Sequence, residues 1–221
     1  MIPALVIFDC DGVLVDTEPV SNTVLSAALA RHDFRISVDD CRLRFVGRTI
    51  ESVQAEVEAE IGRPLGADWP ERVRLETEAA FDSGVRPVPG VEAVIDAVAS
   101  AGLTYCVASS GKFSKMCKTL DQTGLLRHFE GVLFSAEQVQ RGKPAPDLFL
   151  FAAERMGAAP AACVVIEDSV PGVQAGLAAG MRVLAYAGDP MSVRSGLLDT
   201  GAQAFFDMRD LPGLLGLATP R

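Results

Sequence analysis

The stretch Ala4-Leu5-Val6-Ile7-Phe8-Asp9-Cys10-Asp11-Gly12-Val13-Leu14-Val15-Asp16 decides the reading of this chain. Its first five residues form a short, unbroken apolar run that ends in a turn signal. Such a run reads as a strand buried on both faces, the kind found in parallel sheets. Two carboxylates, Asp9 and Asp11, follow at its mouth one residue apart. Placed there they repel each other and lose hydration unless a cation neutralises them. A magnesium ion would do so, and would fit one carboxylate to accept a phosphoryl group.

Downstream of Pro87-Val88-Pro89-Gly90 the pattern supports that strand. A helix over 91–101 ends at Gly102, and Leu103 to Ala108 is a strand stopped by Ser109-Ser110-Gly111. A helix to about Thr123, a short strand over 131–134 and a helix over 146–156 follow. Val164-Val165-Ile166 is a strand ending in Glu167-Asp168, and strands recur at 183–186 and 204–206, with a helix over 172–180 between. Strands alternating with helices predict an α/β fold, a Rossmann-like parallel sheet covered on both faces. Ligands bind such sheets beyond the carboxyl ends of the strands.

Residues 19–83 interrupt the alternation. Val20, Val24, Leu25, Ala28 and Leu29 make one apolar stripe at helical spacing; Ile50, Val53, Val57 and Ile61 make another. The charged stretch Asp68 to Asp82 reads as a third helix buried through Trp69, Val73 and Phe81. Residues 16–86 therefore read as an inserted helical domain, and 1–15 with 87–221 as the α/β core domain.

Composition narrows the function classes. The 221 residues carry a net charge of −9, which opposes nonspecific binding to nucleic acid or membrane surfaces. No segment offers the roughly 18 uncharged apolar residues of a membrane span. No basic region precedes the first apolar run, so no secretory signal is expected. Five cysteines, an odd count with no C-x-x-C pair, predict neither disulfides nor a zinc cluster and fit a reducing cytoplasm. Both nucleotide-binding glycine fingerprints are missing.

Polar residues gather at three strand ends: Asp9 with Asp11, Ser109, and Glu167 with Asp168. Lys143 lies in Arg141-Gly142-Lys143-Pro144-Ala145-Pro146-Asp147, just before a helix. Taken singly, each reads as a turn, a helix cap or a surface loop. Together, at consecutive strand ends, they describe a crevice with several acids, a hydroxyl and a cation. A carboxylate nucleophile, a hard divalent cation, a lysine and a hydroxyl donor suit phosphoryl transfer.

The chain resembles the haloacid dehalogenase superfamily, in the branch around beta-phosphoglucomutase, phosphoglycolate phosphatase and small sugar-phosphate phosphatases. The resemblance rests on D-C-D-G-V-L-V-D-T-E at 9–18, V-A-S-S-G at 107–111, G-K-P-A-P-D at 142–147 and V-I-E-D-S-V-P-G-V-Q-A at 165–175, in the family's order. It implies a magnesium-dependent phosphatase for a small phosphorylated metabolite. Asp9 would be the nucleophile, Asp11 the general acid and base, Ser109 a phosphoryl-binding hydroxyl and Lys143 the neutralising cation. The metal would be held by Asp9, Asp11 through its carbonyl, and Asp168, with Glu167 in or beside that set. Ser110, Gly111 and Lys112 would contact the phosphate. Residues 16–86 would be a cap offering Glu18, Gly47 and Arg48 to the substrate. The protein is expected to be a cytoplasmic monomer.

Departures from the family narrow the branch further. True dehalogenases lack the second aspartate, so Asp11 favours a phosphate ester. The four lysines, Lys112, Lys115, Lys118 and Lys143, all lie outside 16–86, which leaves no cap lysine for phosphonate chemistry. Ser21 and Ile50 stand where beta-phosphoglucomutase has a histidine and an arginine. A hexose-phosphate mutase remains the alternative reading, and a non-catalytic binding protein on the same fold a third. His32 and His128 read as surface residues.

Overall fold

The computed structural model describes residues 2–45 and 48–217. The chain divides into two compact units, Thr17–Val85 and Met1–Asp16 with Arg86–Arg221.

Among the described residues, the Thr17–Val85 unit holds four α-helices: α1 (Glu18–Ala30), α2 (Val38–Phe45), α3 (Ile50–Ile61) and α4 (Trp69–Ala80). Their apolar stripes meet in a core of Leu25, Leu29, Phe34, Cys41, Phe45, Val53, Val57, Trp69 and Val73. Thr49 caps α3 by accepting from the Ser52 amide, and Gly62 ends it at φ 70°. Helix α2 adds to the three helices that the sequence predicts for this segment. Its sequence, V-D-D-C-R-L-R-F, buries only Cys41 and Phe45, too few positions to print a helical stripe.

Among the described residues, the other unit holds eight strands. They are β1 (Leu5–Phe8), β2 (Val15–Asp16), β3 (Arg86–Pro87), β4 (Thr104–Ser109), β5 (Leu133–Ser135), β6 (Cys163–Glu167), β7 (Arg182–Tyr186) and β8 (Gln203–Phe205). Six form one parallel sheet in the order β5-β4-β1-β6-β7-β8. The segments bracketing the helical unit pair as the antiparallel ladder β2–β3. Helices α5 (Val91–Ser100), α6 (Phe113–Gln122), α7 (Asp147–Arg155), α8 (Val170–Ala178), α9 (Pro190–Arg194) and α10 (Leu211–Leu214) complete the unit.

The sheet buries β1 completely. Leu5 and Ile7 join a cluster with Cys106, Val165, Leu148 and Phe149, while Phe8 meets Phe129 edge to face on the other side. Cys106 and Cys163 are buried, as a small hydrophobe should be, and all five cysteines are free thiols. The crossover after β1 leads to β4 on one side, and the crossover after β6 leads to β7 on the other. The strand order therefore switches between β1 and β6, where open α/β sheets place their ligands. Among the described residues no helix is long and apolar enough to cross a membrane.

Candidate active site

The register carries Asp9 directly to the switch point. Phe8 pairs with Val107 of β4 and Ile166 of β6, and the Asp9 amide donates to the Ile166 carbonyl at 2.9 Å. The chain then turns tightly, with Gly12 at φ 80° donating to the Val15 carbonyl. A Cβ at Gly12 would collide with the Asp168 carboxylate, so this glycine lets Asp168 close against the Asp9–Asp11 loop.

Lys143 is the hub of the buried charges. Its Nζ donates to Asp9 Oδ1 at 2.6 Å, to Glu167 Oε1 at 2.7 Å and to the Ala108 carbonyl at 3.0 Å. An ammonium has three donors, so Lys143 is fully satisfied. It also stands 4.8 Å above the Phe149 ring. The loop bearing it is tied by two hydrogen bonds from Arg141 to the Asp147 carboxylate, 3.0 and 2.7 Å. Burial pulls Lys143 down, but the charges of Asp9 and Glu167 and their hydrogen bonds outweigh it and hold the ammonium above its ordinary range. Burial raises Asp9 to about 7; Lys143 opposes that rise and the Glu167 charge adds to it.

Glu167 has both carboxylate oxygens held by neighbouring protein groups. Its Oε1 is held by Lys143, and its Oε2 accepts from both the amide and the hydroxyl of Ser169, at 2.8 and 2.9 Å. Ser169, not Asp168, caps α8, by accepting from Gly172 N. With both oxygens occupied, Glu167 orients Lys143.

Asp11 has a partner that the sequence reading missed. Lys115 Nζ donates to both of its carboxylate oxygens at 2.9 Å. The missed signal was helical phase: Met116, Thr119 and Leu120 are the buried stripe of α6, and Lys115 stands one turn before Thr119 on that face. Burial pulls Lys115 down, but Asp11 more than compensates and lifts it above its ordinary value.

The phosphate-loop candidates fall into two groups. Ser109 is buried at the end of β4 and its Oγ accepts from Gly111 N at 3.1 Å; Gly111 O in turn accepts from Ser135 Oγ at 2.7 Å. Ser110 and Lys112 are exposed at the rim. In the helical unit, Glu18 accepts from Asn22 Nδ2 at 2.9 Å, and Arg48 pairs with Glu56, which also pairs with Arg44. Gly47 lies outside the described residues.

The donor set admits a hard cation. Among the described residues no group of three or more His, Cys, Asp and Glu side chains is arranged to hold a metal. A smaller set, the carboxylates of Asp9 and Asp168 with the Asp11 carbonyl, would be the one to hold it. That suits magnesium, which takes one or two carboxylates and fills its other positions with water and phosphate oxygens.

The family model of haloacid dehalogenase-like hydrolases matches residues 3–180. The chain belongs to that family. It is a hydrolase of the phosphatase type. It is 32% identical to 6-phosphogluconate phosphatase of Escherichia coli over 84% of this chain and 83% of the relative. It is 33% identical to hexitol phosphatase A of the same organism, over 81% of each chain. Among solved structures, a HAD family hydrolase of Deinococcus radiodurans with bound phosphate and sodium superimposes with a TM-score of 0.84 at 30% identity. That match covers 99% of this chain and 98% of the other.

Proposed function

We propose that the protein is a magnesium-dependent phosphomonoester hydrolase for small phosphorylated sugars or sugar acids, working through an aspartyl phosphate on Asp9. The observation that carries the reading is the buried Asp9 carboxylate with one oxygen held by a fully satisfied lysine. The names of two relatives, a 6-phosphogluconate phosphatase and a hexitol phosphatase, support the substrate class.

In the first step an Asp9 oxygen attacks phosphorus while the bond from phosphorus to the substrate oxygen breaks. Asp11 gives its proton to the departing oxygen, and the alcohol leaves. In the second step Asp11 takes a proton from water as the water oxygen attacks the aspartyl phosphate. The Asp9–phosphorus bond breaks, and inorganic phosphate and the carboxylate are restored. Lys143 neutralises the nucleophile, and Ser109 with the Gly111 loop holds phosphoryl oxygens. Magnesium, held by Asp9, Asp168 and the Asp11 carbonyl, would draw negative charge from the phosphoryl oxygens. Substrate selectivity is assigned to the helical unit. Arg48, already paired to Glu56, is its cation candidate.

The test is phosphate release from a panel of sugar phosphates, 6-phosphogluconate, phosphoglycolate and nucleotides, with and without magnesium. Steady, metal-dependent release from sugar phosphates is expected. No release from any of them, or an isomerised sugar phosphate in place of free phosphate, would overturn the proposal.

A further inference from the structure

Lys115 and Asp11 are 104 residues apart in sequence, yet the ammonium touches both carboxylate oxygens at the same distance, 2.9 Å. Two equal contacts centre the ammonium between the carboxylate oxygens and tie the position of the Asp11 side chain to α6. Both partners stand on pinned backbone. Asp11 sits in the turn closed by Gly12 N and Val15 O. The Lys115 stem lies alongside Gly111, whose amide and carbonyl are tied to Ser109 and Ser135. The Lys115 carbonyl also accepts from Thr119 Oγ1, at 3.1 Å. Lys115 and Asp11 are each about one-quarter exposed, at 24% and 28%, so the pair is within reach of a ligand entering the crevice.

We infer that Lys115 is a positioning residue: it holds the Asp11 carboxyl group in place at the mouth of β1 for the proton transfers at the phosphoryl group. This rests on the reading of Asp11 as the acid–base group. General acid–base catalysis needs the carboxyl oxygen within hydrogen-bond reach of the moving proton, and preorganised groups outperform mobile ones. Lys143 holds the nucleophile through a single oxygen, so each aspartate of the loop has its own lysine. Lys143 approaches from the loop before α7, and Lys115 from the first turn of α6.

The experiment compares the wild type with Lys115→Met, which keeps the stem and removes the charge, and Lys115→Arg, which restores a forked donor. Steady-state rates are measured with the best sugar phosphate, and rapid-quench traces with p-nitrophenyl phosphate, whose leaving group departs without a proton. Lys115→Met should lower kcat for the sugar phosphate by about 10- to 100-fold, part of the ~10²–10⁴ that acid–base catalysis supplies. KM should stay within about twofold. With p-nitrophenyl phosphate the first step should persist and the second slow, giving a burst of p-nitrophenol. Lys115→Arg should recover most of the rate. An unchanged kcat in Lys115→Met would overturn the inference. So would a raised KM at constant kcat, which would make Lys115 a substrate contact, or equal slowing of both steps with a lowered Tm, which would make it structural. A wild type without a phosphoenzyme overturns the parent reading as well, whereas a wild type that forms one beside a silent Lys115→Met overturns this inference alone.

Discussion

The Glu167 carboxylate occupies the space that a Cβ on Gly172 would fill. Gly172 lies in the first turn of α8, four residues past Asp168 and three past the cap Ser169. Its missing side chain lets the carboxylate settle between the helix start and Lys143, where backbone N–H groups favour negative charge. The other glycines at the same spacing do different work. Gly176 lets α8 close on Val183 and Val165, and Gly180 turns the chain at φ 71°.

Gly172→Ala should therefore be costlier than its chemistry suggests. The added methyl displaces Glu167, and with it the ammonium that holds Asp9. Destabilisation of about 1–3 kcal/mol is expected for overpacking, with a fall in kcat of about tenfold or more, since a displaced catalytic group of about 1 Å can cost ~10²-fold. Gly176→Ala meets a valine methyl instead and should lower Tm while leaving kcat per folded molecule unchanged. Thermal melts and phosphate release on the two variants check this.

Lys143→Met leaves two carboxylates buried without their cation. Removing one partner of a buried pair costs about 3–5 kcal/mol, so a large drop in denaturation midpoint and loss of turnover are expected. Adding Asp9→Asn removes one of the stranded charges. The double variant should be more stable than the sum of the single losses implies, because the residues are in contact. Urea melts of the three variants measure the coupling.

Asp9→Asn should abolish turnover while the fold survives, because an amide oxygen still accepts from Lys143 but cannot form the acyl phosphate. A residual rate below about a thousandth of wild type is expected, in line with the loss of a covalent nucleophile. A stoppage on chelation, reversed by added magnesium, should accompany it. Circular dichroism and phosphate release read both.

Metal binding should release a proton. Burial raises folded Asp9 from 3.8 to about 7, so the metal-free native state keeps a proton there that the unfolded chain has already lost. Across that window the native state binds more protons, and stability of the metal-free protein should fall as pH rises. A cation needs the carboxylate, so magnesium affinity should climb with pH and level off above about 7. Calorimetry in two buffers of different ionisation enthalpy detects the proton, and melts from pH 5 to 8 with chelator test the stability trend.

Much of this molecule is legible in its residues, and the exceptions share a physical cause. The apolar runs at β1, β4, β6 and β7 are buried strands of a parallel sheet, and such runs announce themselves. Strand ends converge by topology, so Asp9, Ser109 and Asp168 could be brought together on paper. Lys115 could not, because Lys112, Lys115 and Lys118 look alike until helical phase is known. Glu167 could be placed at the crevice but not given its partners: whether an acid at a strand end faces a cation, a cap hydroxyl or a metal depends on which loop arrives opposite. The two-residue strands β2 and β3 are too short to show an alternation, and α2 too polar to show a stripe.

The β2–β3 ladder has a consequence for engineering. Val15 pairs with Pro87 and Asp16 with Arg86, so the segment between them leaves and re-enters the sheet-bearing unit at neighbouring residues. Paired antiparallel Cα atoms lie only about 4.5–5.5 Å apart. Cutting there asks nothing of the β1–β6 crevice beyond a short bridging turn. Residues 17–85 are thus a cassette with adjacent ends, open to exchange for the corresponding segment of a relative. Such chimeras would keep the β1–β6 crevice constant and test the proposal that the helices choose the phosphate ester.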